Sequence, residues 1–181
     1  MMKERAEIAL RELEDADVTE RYLAWFRDPE VTKFLESRDL TRDDVLRFIN
    51  DSRGKRRFIW AICDADTGLH IGNVKIDVNW KHSAGELSLV IGDKDYWGRG
   101  AATRTMQLAT EKAFTELGIR KIRSGLYADN HGSRKMLERA GWRLDALQRD
   151  ELLRDRTPVD RLIMCAFNPG EWRTQPPEGR A

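Results

Sequence analysis

Apolar and polar residues alternate in three consecutive stretches near the middle of the chain. Residues 57–63 are dense in aromatic and branched side chains, Val74, Ile76 and Val78 alternate, and Leu87, Leu89 and Ile91 alternate after Ser83-Ala84-Gly85. With a turn at Asp64-Ala65-Asp66-Thr67-Gly68, this predicts an antiparallel meander. Helical spacing brackets it. Val18, Tyr22, Trp25 and Phe26 recur along a helix opened by Asp17, and Asp28-Pro29 restarts the chain as a short second helix. Thr41-Arg42-Asp43-Asp44 reads as a capping box for a third, carrying Val45, Leu46, Phe48 and Ile49. After the meander, Ala102, Met106, Ala109, Ala113 and Leu117 step by threes and fours to a stop at Gly118. Asn130 caps a short helix with Met136, Leu137 and Ala140 on one face, ended by Gly141. Further strands are expected at 7–13 and 121–127, with a hairpin of 142–154 and 159–167 around Asp155-Arg156-Thr157-Pro158. The order predicts an α/β (α+β) fold, a mixed sheet with helices on its faces.

A chain of 181 residues is one domain by size, 1–181, with a core over about 6–168 and a loosely held tail at 169–181 rich in Pro, Gly and charge. Lys+Arg 32 against Asp+Glu 31 leaves a net charge of +1, so no global field argues for nucleic acid or a membrane surface. Apolar runs fall short of the roughly 18 residues of a membrane span, and Met1-Met2-Lys3-Glu4-Arg5 opens no signal peptide, so a soluble, cytoplasmic protein is expected. Cys63 and Cys165 sit in apolar runs and read as buried thiols. His70, His82 and His131 lack ligand-pair spacing, so no metal is implied.

Asp95-Tyr96-Trp97-Gly98-Arg99-Gly100-Ala101-Ala102-Thr103 lies between the last meander strand and the long helix. A Gly-x-Gly turn into a helix N-terminus aims several backbone N–H groups, and the positive end of the helix dipole, at one spot suited to pyrophosphate. Thr103 stands where a Rossmann fingerprint needs glycine, and Ala101-Ala102 stand where a Walker loop needs Lys-Ser/Thr. Both nucleotide motifs are excluded.

What remains resembles the Gln/Arg-x-x-Gly-x-Gly/Ala segment with which the GNAT superfamily of N-acetyltransferases holds the pyrophosphate of acetyl-coenzyme A, with Asp95 at the first position. Asn130-His131-Gly132-Ser133 through Leu137-Glu138-Arg139-Ala140-Gly141-Trp142 is similar to the Asn-x-x-Ser-x-x-x-Leu-Glu-Lys-x-Gly-Phe signature of the ribosomal-protein-alanine and aminosugar branch. Trp25 to Leu35 and His70 to Lys75 also look like that branch, so the resemblance spans about Ile8 to Phe167.

The resemblance implies the GNAT fold, in which two neighbouring strands splay and coenzyme A enters the gap, and direct acetyl transfer to a primary amine. Val90 and Ile91, Gly98, Arg99, Gly100, Ala101, Ala102 and Thr103, together with Asn130 and Ser133, are the expected cofactor contacts, a backbone N–H near Val90 facing the acetyl oxygen. Arg104 flanks the same turn. An ammonium must lose its proton before attack, and Glu86, on the strand leading into the turn, is the candidate base; Asp145, where relatives carry Glu-Gly, is its rival. Leu137 stands where many relatives place a tyrosine acid, which leaves Ser133 as the candidate to protonate the departing thiolate or to contact the sulfur or pantetheine. The expected acceptor is an aminosugar nucleotide, a protein N-terminus being the runner-up, polyamines and antibiotic amines staying open, and a catalytically silent acyl-CoA-binding domain the alternative class. A homodimer is left open.

Overall fold

The computed structural model describes residues 5–51 and 53–170; of the expected tail, residues 171–181 lie outside the described part. Strand β1 (Ile8–Glu12) precedes helices α1 (Glu20–Trp25) and α2 (Arg42–Asp51). The meander follows as β2 (Arg57–Asp64), β3 (His70–Asn79) and β4 (Ala84–Ile91), then α3 (Ala101–Thr115), β5 (Lys121–Tyr127), α4 (His131–Arg139) and the hairpin β6 (Arg143–Arg154) and β7 (Thr157–Phe167). One sheet runs in the order β1-β2-β3-β4-β5-β7-β6, antiparallel except where β4 meets β5.

Alternation along the central strands buries one face of the sheet, and along β2 the other face as well. Ile62, Val74, Ile76, Leu87, Ile122 and Met164 pack against Met106, Ala109 and Ala113 of α3 and Leu137 of α4. Ala61 and Cys63 face the other way, into Tyr22, Leu23, Trp25, Phe26, Val45 and Ile49 of the N-terminal helices. Trp25 closes this layer so tightly that a Cβ on Gly92 would fall on its indole ring.

Two expected helix starts differ. Asp17 opens no α-helix, because its carboxylate reaches back to the Glu14 N–H (2.8 Å) and is held by Arg11; Thr19 caps α1 instead, accepting from Tyr22 N at 3.3 Å. Asp28-Pro29 begins turns rather than a helix, the Asp28 carboxylate accepting the Glu30 N–H at 2.9 Å as an Asx turn does. The box at Thr41 and Asp44 forms as expected, each accepting the other's backbone N–H at 3.2 Å.

Candidate functional site

Strands β4 and β5 pair over three residues and then part. Ala84, Gly85 and Glu86 face Lys121, Ile122 and Arg123, while no pairing joins residues 87–91 to residues 124–127. The gap belongs to a cavity of about 1030 Å³ lined by Ser88, Leu89, Val90 and Ile91 on one side and Ser124, Gly125, Leu126 and Tyr127 on the other. Gly92 N–H bonds to Ile71 O (2.9 Å), and backbone groups alternate sides along an antiparallel ladder, so Leu89 and Ile91 turn their polar groups to the gap while Val90 turns its own to β3. Near Val90, the backbone N–H groups that face the gap are thus those of Leu89 and Ile91.

At one end the cavity meets the start of α3. Gly98 (φ 78°) and Gly100 (φ 79°) are both left-handed, and Gly100 as N-cap brings no side-chain hydrogen bond, so the N–H groups of Ala101, Ala102 and Thr103 begin the helix without a side-chain acceptor. Gly98, Gly100 and these three residues line the cavity. Trp97 Nε1 donates to Ile91 O at 2.9 Å, Tyr96 donates from its hydroxyl to Asp64 at 2.9 Å, and Ala6 N donates to Arg99 O at 3.1 Å. A turn bolted at two points to the sheet and at a third to the segment before β1 is a rigid cradle. Burial and the Asp64 carboxylate push the Tyr96 phenol above its ordinary value, keeping it the donor.

On the far wall of the gap, Asn130 caps α4 through Ser133 N at 3.1 Å, and Asn130, Ser133, Met136 and the buried Leu137 all line the cavity. The other arm runs toward α2 and the loop at residues 27–40, with Tyr22, Phe26, Phe34, Leu40, Val45 and Phe48 as apolar walls. Lys94 ties that loop to the segment before the cradle, its Nζ 2.7 Å from Asp28 and 2.6 Å from Glu30. Phe34 packs on Tyr127 (centroids 6.0 Å apart), and the Arg154 guanidinium lies over both rings while pairing with Asp129.

Glu86 stands where the strands part. Arg123 donates twice to its Oε2 (3.2 and 3.0 Å) and Arg161 once to Oε1 (3.0 Å), which fills three of the roughly four acceptor positions of a carboxylate and leaves one on Oε1. Of the residues expected at the site, Arg99 and Asp145 do not line the cavity. Arg99 stacks 4.8 Å over the Tyr96 ring, and Asp145 bonds to Lys121 Nζ (2.6 Å) at the end where β4 and β5 are paired, away from the gap. Arg104 is exposed and also off the lining. Burial pushes the thiols of Cys63 and Cys165 up, away from the reactive thiolate, and neither lines the cavity. Leu89, Tyr127, Phe34 and Arg161 line it without having been proposed as site residues, although Leu89 lay in the alternation of β4 and Phe34 in a segment that carried the resemblance.

A family profile described as "Acetyltransferase (GNAT) domain" matches residues 7–143. The uncharacterized N-acetyltransferase YoaA of Bacillus subtilis (strain 168) is 25% identical over 170 residues, covering 91% of this chain and 95% of that protein. The spermidine N(1)-acetyltransferase of Escherichia coli (strain K12) is 26% identical over 144 residues, 79% of this chain and 72% of its own. In three dimensions, a crystal structure of spermidine N-acetyltransferase from Vibrio cholerae in complex with CoA and spermine superposes with a TM-score of 0.80 at 19% identity, over 89% of this chain and 95% of that one.

Proposed function

The chain belongs to the GNAT acetyltransferase family and is an acetyl-CoA-dependent N-acetyltransferase, and on that premise we propose that it transfers acetyl directly to the primary amine of a small molecule in the cavity between β4 and β5. The observation that carries the reading is the parting of β4 from β5 just past Glu86, in the same cavity as the uncapped start of α3. The N–H groups of Ala101, Ala102 and Thr103 suit the cofactor's pyrophosphate, and the glycine cradle gives phosphate close access to backbone. Acetyl-coenzyme A would bring the activated thioester. A backbone N–H of Leu89 or Ile91 opposes the charge that develops on the thioester oxygen. Glu86 accepts the ammonium proton at its remaining Oε1 position, directly or through one water. Ser133, beside Leu137 and its missing phenol, orients the leaving sulfur, to which the second proton of the attacking amine passes as the C–S bond breaks, and Asn130 positions that helix turn.

The residues around Asn130 favour the aminosugar and ribosomal-protein branch, whereas the named relatives include enzymes of spermidine. Free-thiol release from acetyl-CoA, with the mass of the product, is measured against an aminosugar nucleotide, spermidine and an N-terminal peptide. Release with one of the small amines, with the amine gaining one acetyl group, supports the reading. Tight acetyl-CoA binding with no release from any amine makes the chain a binding domain.

A further inference from the structure

Two carboxylates beneath the acceptor arm are each shared by two cations. Asp77 of β3 and Glu86 of β4 are register partners, so their side chains stand side by side on one face of the sheet. Asp77 accepts from Arg57 Nε at 2.7 Å and from Lys75 Nζ at 2.5 Å; Glu86 accepts from Arg123 and Arg161, each at 3.0 Å. Each trio therefore keeps one uncompensated positive charge. Of these residues Lys75, Glu86 and Arg161 line the cavity.

The other charged lining residues do not cancel this surplus. On the loop and the start of α2, Glu30 shares Lys94 with Asp28, which leaves that trio one negative charge, Asp44 lies 3.6 Å from Arg47 and Glu36 offsets Lys33, while Arg139 adds a compensating cation on the α4 side. A polycation entering the arm meets a floor of its own sign, while an anion on the acceptor finds two cations whose shared carboxylates leave them short of negative charge.

We propose that the acceptor carries an anionic group, a carboxylate or a phosphate, besides its amine: Lys75 and Arg161 bind the anion while the amine takes the open Oε1 position of Glu86. The proposal rests on the transferase reading and narrows its acceptor class. It separates this chain from the polyamine named for two of its relatives.

The test compares kcat/KM at saturating acetyl-CoA and low ionic strength within two matched pairs, glucosamine against glucosamine 6-phosphate and butylamine against 4-aminobutanoate, with spermidine alongside. In at least one pair the anionic member should lead by about tenfold, the size of one charge-assisted hydrogen bond, and the lead should shrink as salt rises. Whichever pair shows it tells phosphate from carboxylate. Lys75→Gln should bring that ratio toward one, while Lys75→Arg should retain it. A preference for spermidine or for the neutral member of both pairs, or a ratio untouched by Lys75→Gln, overturns the proposal and leaves the transferase standing. Absence of thiol release from all five amines overturns the reading that the acceptor is a small-molecule amine, on which this proposal rests.

Discussion

Arg161 reaches Glu86 across an intervening strand, its Nη2 3.0 Å from Oε1 although β5 lies between β7 and β4. The crossing passes over Gly125, where a Cβ would fall on the guanidinium. Gly125→Ala should therefore displace a flexible arginine end rather than the backbone. Loss of unfolded-chain freedom works in the opposite direction, raising stability by roughly 0.4–1 kcal/mol. The variant should keep or raise its melting temperature while kcat/KM falls about tenfold. Native activity in a Gly125→Ala protein would show that the Arg161 position does not matter to the site.

Gly100 is needed for a different reason. Its φ of 79° suits glycine, and among the described residues a Cβ there would meet the Arg5 side chain only at ordinary contact distance, 3.7–3.8 Å. Gly100→Ala should cost about 1–2 kcal/mol through backbone strain, a drop of a few degrees in melting temperature for a chain of this size. At 25 °C the protein stays folded, so a calorimetric Kd for acetyl-CoA that weakens tenfold or more reports distortion of the cradle. An unchanged Kd would remove the cradle from the binding site.

A stability change is expected between pH 7 and pH 5 from one side chain. Burial holds His70 below the ordinary imidazole value, and its Nε2 lies 2.9 Å from both Gly72 O and Asn73 Oδ1. The unfolded chain takes up its proton first, near pH 6.5, so the contribution is fully present above that pH and is lost as pH falls through the depressed folded value. Asp17 eases protonation and Arg11 opposes it. Melting temperature should fall across this window, and His70→Gln should flatten the fall. A profile that His70→Gln leaves unchanged would assign the loss to other groups.

The strands and the long helix were legible because their signals are local: alternation in β2 to β4, and small residues at helical steps in α3 beneath the sheet. The cradle was legible because glycine spacing encodes a backbone conformation. Pairings between distant residues were not. Nothing in sequence says that Asp17 is taken by Arg11, that Asp145 meets Lys121 instead of the gap, or that Arg161 crosses Gly125 to Glu86. Sequence placed the gap-facing backbone only as near Val90; which groups face it depends on strand register, which turns those of Leu89 and Ile91 there.

The two carboxylates proposed from sequence now make opposite predictions. Glu86 lines the cavity with one acceptor position open, whereas Asp145 is bound to Lys121 outside it. Glu86→Gln keeps the size of the side chain and removes its basicity. Turnover should fall roughly a hundredfold near pH 7, within the usual range for a lost general base, and should partly recover as pH approaches the pKa of the amine itself. The amide also leaves Arg123 and Arg161 without their carboxylate, so the KM of the acceptor should move as well as kcat. Asp145→Asn breaks one partly exposed ion pair, side chains 33% and 25% accessible, and should cost about 1 kcal/mol or less of stability with turnover near native. Steady-state rates from pH 6 to 10 for both variants decide the matter. Native turnover in Glu86→Gln with collapse in Asp145→Asn would reverse the assignment, and full activity in both would mean that desolvation alone supplies the neutral amine.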